Sequence, residues 1–402
     1  MNKGQHRGPE ARPRVIGGDH GWWFLGPGGI ARLKPHHLTP AGELRPEAER
    51  VLRDRGLFRP PAFRSYSLTV LTSTNCNLGC AYCFQNTAQD TAGGSRPPRI
   101  AYSRLTSATI DTIVDFTRRR QAEAGLDGLV LMLFGGEPLL NPRGCVELLS
   151  RAGGLGLRWA SMTSNGTLMT VPLARRLADL GLRDVQVTFD GDKDDHDRIR
   201  VRRATGGGTF DDIVAAMAAM TAATPIKCGI RVNVSHHNYG GIDTLVERLG
   251  RDLDPSRCSL YFARVGDVGV GYDNDLAFSG DMAARFHRWQ RRALELGFAV
   301  PRPRAHTPCQ ACSYPDGRYG AVVNADGTLS SCWETAGKPD WQVGTLTDGY
   351  LPAERTADRW ISCEESYQYA DDLSELTRFQ DTVDAALLDY LSATGRLGAG
   401  AA

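Results

Sequence analysis

Three cysteines, Cys76, Cys80 and Cys83, stand at spacing C-x-x-x-C-x-x-C directly after an apolar, β-branched run over 67–72. Three thiolates can hold three corners of a cubane iron–sulfur cluster, and the fourth iron then lacks a protein ligand. An open metal position marks a catalytic site rather than a structural one. Zinc knuckles use similar C-x-x-C pairs, so the spacing alone leaves both chemistries open. A second set follows much later, at Cys309, Cys312 and Cys332, with Cys363 further on. Asp326-Gly327 is a hairpin signal that folds Cys332 back toward the Cys309/Cys312 pair. Four thiolates suffice for one closed cubane or one zinc, and ligand chemistry does not choose between them. Cys145, Cys228 and Cys258 fall in apolar or helical patterns and read as small buried hydrophobes.

Other polar residues gather at the ends of apolar runs. Gly135-Gly136-Glu137 follows the run 129–134: two glycines permit close approach of backbone to a ligand, and the glutamate adds an acceptor. The run 157–162 leads into 160–167, dense in hydroxyls and amides, including Ser161 and Asn165. That composition suits ribose hydroxyls or a carboxylate, although Thr167 and Thr170 would also serve as helix caps. Asp190-Gly191 closes another run, and His196-Asp197-x-x-Arg200 follows. The guanidinium fork of Arg200 fits a carboxylate best. Asn233 lies in Arg231-Val232-Asn233-Val234, where strand alternation places either Arg231 or Asn233 inward. No residue stands out as a catalytic base; Tyr82, Asp190 and Tyr314 are the nominations.

The elements that must position these residues form a regular series. Strands are expected at 67–72, 129–134, 157–162, 184–189, 227–234 and 258–264. Helices are expected at about 104–123, 142–152, 171–180, 209–223, 239–252 and 279–297. Six strand-then-helix units predict an α/β fold with a parallel sheet, a partial (β/α)6 TIM-like barrel over residues 65–300. Right-handed crossovers place every strand C-terminus on one rim, and each candidate motif falls at such an end. Residues 1–64 form a small N-terminal module. Its first 13 residues read as disordered. Two short strands follow between Arg14 and Leu33, around a Gly-Pro-Gly-Gly turn, then a charged amphipathic helix over 41–55 and a linker at Arg59-Pro60-Pro61. Residues 301–402 carry the second cysteine set, a capping helix over about 371–394 and a Gly-Ala tail expected to be disordered.

Composition sets outer bounds. A chain of 402 residues with 41% hydrophobic content supports two or three domains with a large core. Lys+Arg 47 against Asp+Glu 46 gives no bulk electrostatic pull toward nucleic acid or an anionic membrane. No signal sequence opens the chain, and no apolar run approaches the roughly 18 residues of a membrane span. The expectation is a cytoplasmic protein whose ten cysteines serve metal binding or packing rather than disulfides.

The cysteine loop with Tyr82 before its third cysteine, the Gly135-Gly136-Glu137 segment, Asn165-Gly166-Thr167 and the Asp190-to-Arg200 segment occur in one order. Together they resemble the radical S-adenosylmethionine (radical SAM) enzymes over roughly residues 67–265. The resemblance implies a [4Fe-4S] cluster on Cys76, Cys80 and Cys83, with SAM on the open iron. It implies that the backbone of Gly135, Gly136 and Glu137 takes the amino group of SAM, Ser161 contacts SAM and Arg200 takes its carboxylate. Tyr82, Asn165, Asp190 and Asn233 complete the expected cofactor site. The pattern Cys312-x14-Gly327-x4-Cys332 resembles the auxiliary-cluster extension in its shorter "Twitch" form. The later cysteine-rich run of the "SPASM" form is missing, so one auxiliary [4Fe-4S] cluster is expected on Cys309, Cys312, Cys332 and Cys363, with the role of Cys363 open.

Such enzymes take one electron from a donor such as flavodoxin or ferredoxin, cleave SAM and use the 5′-deoxyadenosyl radical to abstract a hydrogen. The architecture implies a ribosomally made precursor peptide as substrate and a cross-link or other oxidation as outcome. Two alternatives stand beside it. One is a sulfatase-maturase-like oxidase of protein side chains, or a small-molecule enzyme; the other is a non-enzymatic iron–sulfur or zinc protein. The N-terminal module resembles the front end of peptide maturases, and it would act either by strand addition to a leader peptide or as a lid.

Overall fold

The computed structural model describes residues 11–90, 96–267, 269–272, 274–360 and 373–397. Cys363, residues 1–10 and the Gly-Ala tail lie outside them, so the expectations placed there are not addressed by the structure.

Three strands open the chain: β1 (Arg14–Gly18), β2 (Gly21–Gly26) and β3 (Gly29–Leu33), paired as antiparallel neighbours. Two strands were expected here. The extra reversal is the two-residue Asp19-His20 turn between Gly18 and Gly21, which face each other in register. Helix α1 (Pro46–Asp54) starts later than the expected residue 41. Pro46 sits at its first turn, and proline disfavours helical backbone in the residue before it.

The expected series of strands and helices is present. Strands β4 (Ser65–Ser73), β5 (Gly128–Gly135), β6 (Leu157–Thr163), β7 (Leu182–Phe189), β8 (Lys227–Val234) and β9 (Cys258–Arg264) pair in sequence order, all parallel. Between and after them run α2 (Ser107–Ala124), α3 (Pro142–Ala152), α4 (Val171–Asp179), α5 (Lys193–Ile199), α6 (Phe210–Ala223), α7 (Ile242–Asp252) and α8 (Gly280–Leu296). The sheet does not close. On the free side of β4 it continues through β10 (Gly320–Val323), parallel to β4, then antiparallel β11 (Thr328–Ser330), β12 (Gln342–Thr345) and β13 (Gly349–Tyr350). The C-terminal region thus extends the barrel sheet instead of building one of its own.

Alternation sorts the strand residues into two faces. Leu68, Val70, Leu129, Leu131, Leu133, Val185, Val187, Ile230 and Val232 are buried with the helices in one large core. Fully burying each such side chain contributes about 1.5–3 kcal/mol. The opposite, inner face carries a smaller apolar cluster of Leu71, Phe134, Val322 and Ala336, with Phe84, Met132 and Trp333 against it.

The last helix, α9 (Leu373–Ala393), packs on the N-terminal sheet. Ile16, Trp23 and Leu25 meet Ala385 and Leu388. Arg14 Nη1 pairs with Asp384 at 2.8 Å, and Asp389 accepts from Trp23 Nε1 at 2.8 Å and from the His20 amide at 3.1 Å. The other face of the sheet is covered by Leu52 of α1, with Phe24, Ala31, Leu33 and Leu38. The edge of β3 opposite β2 pairs with no other strand of the described residues.

Candidate active site at the strand C-terminal rim

The cysteine loop begins where β4 ends and is held by its neighbours' backbones. The amides of Gly136 and Glu137 donate to Ser73 O (2.9 Å) and Asn75 O (2.8 Å). Gly135 has φ +144°, and a Cβ there would lie 2.2 Å from Ser73 O; at Gly136 it would lie 2.3 Å from Asn75 O. The two glycines are therefore required by the loop that carries the cysteines. The sequence suggested approach to a ligand, and the structure supplies a nearer reason.

Glu137 has no exposed surface. Its carboxylate accepts from the Asn165 amide (2.7 Å), Ser164 Oγ (2.9 Å) and the Leu139 amide (2.9 Å). Burial pushes its pKa up, and these donors oppose the rise. Its side chain is a strut between the ends of β5 and β6. Asn165 extends the strut to the cysteine loop: its Nδ2 donates to Asn77 Oδ1 at 2.8 Å and lies 3.8 Å from Cys76 Sγ. Ser161 is half-buried on the inner face of β6, paired with Met132 and Asp184, and takes no part in this network.

Across the rim, Tyr82 OH donates to Asp190 Oδ2 at 2.7 Å, and Arg200 Nη1 donates to both Tyr82 OH (2.9 Å) and Asp190 Oδ2 (3.2 Å). Asn233 hydrogen-bonds Asp190 from β8 and accepts from Arg231 Nε at 2.7 Å. All of these groups are at least half-buried. Burial raises the Asp190 pKa against the pull of Arg200 and Tyr82. Arg200 Nε is buried with no partner, a donor still available to a bound anion. The rest of the His-Asp-x-x-Arg segment is structural. His196 is fully buried, which drives its pKa down to about 3, and its Nε2 meets Thr209 Oγ1 at 3.1 Å. Asp197 Oδ1 accepts from the Thr209 and Phe210 amides and caps α6.

Cys76, Cys80 and Cys83 form no disulfide. Burial raises the thiol pKa of Cys76 and carries that of Cys80 up to about 12; Arg99 opposes the rise at Cys76 and Arg200 at Cys80. Arg99 Nη1 lies 3.5 Å from Cys83 Sγ, and the Leu78 amide 3.4 Å from Cys76 Sγ. Among the described residues no three His, Cys, Asp or Glu side chains are arranged around a single metal ion. The buried donors Arg99 Nε, Gln85 Nε2 and Arg200 Nε, all unpartnered, suit an anionic, sulfur-rich group on these cysteines. Sequence reasoning missed Arg99, Gln85 and Ser164, which reach the site from loop positions with no periodic signal.

Of the second cysteine set, Cys309, Cys312 and Cys332 are among the described residues; Cys312 and Cys332 are buried. The hairpin pairs Val322 with Ser330, two residues before Cys332, and a Cβ at Gly320 would lie 3.1 Å from the Gln310 backbone. The expected hairpin over Asp326-Gly327 is present. Cys309, Gln310 and Trp333 border a cavity of about 1990 Å³. Trp333 packs on Phe134 with centroids 6.2 Å apart, and Phe84, directly after Cys83, stacks on Phe134 at 6.1 Å. Tyr314, nominated as a base, packs edge-on against Phe63 and Tyr319.

Comparison with known proteins identifies the class. Residues 70–249 match the model of the Radical SAM superfamily and form a radical SAM domain. That family implies a [4Fe-4S] cluster and SAM. The chain is 27% identical over 227 residues to Fe-coproporphyrin III synthase of Methanosarcina barkeri, covering 56% of this chain and 51% of that protein. It is 28% identical over 244 residues to the mycofactocin maturase MftC of Mycobacterium tuberculosis, covering 59% and 53%. It spans about half the length of these curated relatives. In fold it resembles native anSMEcpe with bound AdoMet and Cp18Cys peptide, with TM-score 0.59 and 16% identity, covering 82% of this chain and 99% of that one. Residues 70–249 thus carry a radical SAM domain, and the chain is similar over more than half its length to the maturase MftC. No helix among the described residues is long and apolar enough to cross a membrane.

Proposed function

We propose that this protein is a SAM-dependent radical enzyme that oxidises a ribosomally made precursor peptide, installing a cross-link or a related two-electron change. Cys76, Cys80 and Cys83 would hold the [4Fe-4S] cluster, Arg200 Nε would meet the SAM carboxylate, and Ser161 would face SAM from β6. When bound, cluster and SAM supply the hydrogen-abstracting radical. The protein's own residues orient the peptide, exclude water and shape the electrostatics of the rim. Cys309, Cys312 and Cys332, completed by Cys363, would hold one auxiliary cluster.

The carrying observation is the apolar wall between the two cysteine sets. Phe84 follows Cys83, Trp333 follows Cys332, and both pack on Phe134 of β5. A peptide C–H bond placed against this wall lies between the two sets, the layout that net oxidation needs. The similarity to MftC and to a solved fold with bound peptide supports a peptide substrate. The unpaired edge of β3 is the site for a leader peptide by strand addition, since α9 and α1 cover both faces of that sheet.

The test is co-expression with short peptides encoded beside the gene, followed by mass spectrometry. Loss of two hydrogens from one such peptide, dependent on Cys76, supports the reading. A peptide of unchanged composition and stereochemistry, alongside turnover of a small molecule or a folded protein, would replace it with the alternative. Full loading should bring about eight irons per chain.

A further inference from the structure

Arg99 stands outside every motif that the sequence singled out, yet its guanidinium reaches the three-cysteine site. Its backbone is pinned across from the end of the cysteine loop by an antiparallel bridge to Asn86. The Thr87 amide donates to Pro98 O at 2.8 Å, and the Ile100 amide to Gln85 O at 3.1 Å. From this ribbon the guanidinium reaches three acceptors. Nη2 donates to Gln85 Oε1 at 2.9 Å and to Thr74 O at 3.4 Å, and Nη1 to Cys83 Sγ at 3.5 Å. Two donors remain: Arg99 Nε and Gln85 Nε2 are buried without a partner. Among the described residues no carboxylate pairs with it within 4.0 Å, and the groups that favour its charged form against burial are the sulfurs of Cys83, Cys76 and Cys80.

A half-buried guanidinium without a carboxylate is costly unless another anion faces it. Here the available anion is the cysteine set and whatever it binds. Gln85 fixes the fork, and the two spare N–H groups are donors suited to sulfur. Reduction of a cluster adds one negative charge. A fixed positive charge and N–H···S bonds stabilise that reduced form, so they make reduction easier.

We infer that Arg99, oriented by Gln85, is a positioning and charge-compensating residue of the three-cysteine site, donating to the Cys83 sulfur and raising the reduction potential of the bound cluster. The inference rests on Cys76, Cys80 and Cys83 being the cluster ligands. The electron itself comes from an external low-potential one-electron donor, and Arg99 gives up no proton.

The experiment is an anaerobic redox titration of the reconstituted full-length chain, followed by electron paramagnetic resonance. The signal that responds to added SAM identifies the site. Wild type is compared with Arg99→Gln, Arg99→Lys and Gln85→Leu, each with its iron and sulfide content. The expected result is wild-type iron in Gln85→Leu and Arg99→Lys, with potentials shifted negative. The shift should be largest in Arg99→Gln, enough to lower the reduced fraction several-fold at a fixed reductant potential. If Arg99→Gln sheds its iron, the other two variants decide. Wild-type potentials in every variant that loads iron would reduce Arg99 to a folding role and overturn the inference. A wild-type chain with no SAM-responsive signal would sink the ligand assignment itself, and this inference with it.

Discussion

Glu137 shows how a residue can be legible in type while its side-chain partners are not. Its place after two glycines marked it as a ligand-facing acceptor. Its partners Ser164 and Asn165 lie 27 and 28 residues away in the chain, so no local pattern could reveal the strut. Replacing Glu137 by alanine leaves three donors without their acceptor. The expected cost is on the order of 3 kcal/mol, read as a lower denaturant midpoint. Asp197 yields a pH prediction. Burial pushes its pKa up, but the Phe210 and Thr209 amides and Lys193 hold it below the ordinary value. A depressed carboxylate contributes stability above its unfolded pKa of about 3.9, lost as pH falls through the folded value. Asp197→Asn should cost about 1 kcal/mol near neutrality and flatten the stability profile in that acidic window. The cysteine spacing was readable because thiolate chemistry is local. Arg99 was not, because nothing in a loop sequence says which arginine folds back onto sulfur.

The six strand-then-helix units were legible because each apolar run is long and its helix carries one buried stripe, as in α7 with Ile242, Leu245, Val246 and Leu249. What escaped was pairing. Periodicity cannot say that β10 joins β4, nor that α9 docks on β1 and β2. That docking carries its own prediction. Arg14 is closely paired with Asp381 and Asp384. Arg14→Leu leaves Asp384 buried without its cation, at an expected cost of about 3 kcal/mol. The N-terminal module should then become protease-sensitive while the barrel stays intact. Equal resistance of wild type and variant would show that the apolar contacts of Trp23 and Leu25 hold the module alone.

Among the described residues, one sheet of ten strands joins the barrel, whose rim carries the first cysteine set, to the C-terminal hairpin that precedes Cys332. The barrel positions the rim groups, the C-terminal hairpin leads into Cys332, and the N-terminal sheet is clamped by the last helix. The order of the motifs gave the class. Their cooperation, with Glu137, Asn165 and Asn77 bracing the cysteine loop and Tyr82, Asp190 and Arg200 closing its far side, appears only in three dimensions. The central claim is that Cys76, Cys80 and Cys83 make this a SAM-cleaving enzyme. Its most direct test is 5′-deoxyadenosine formation from SAM under dithionite, comparing the reconstituted wild type with a variant in which all three cysteines are alanine. The expected result is steady formation by wild type and none by the variant. Equal formation by both, or none by an iron-loaded wild type, would contradict the claim.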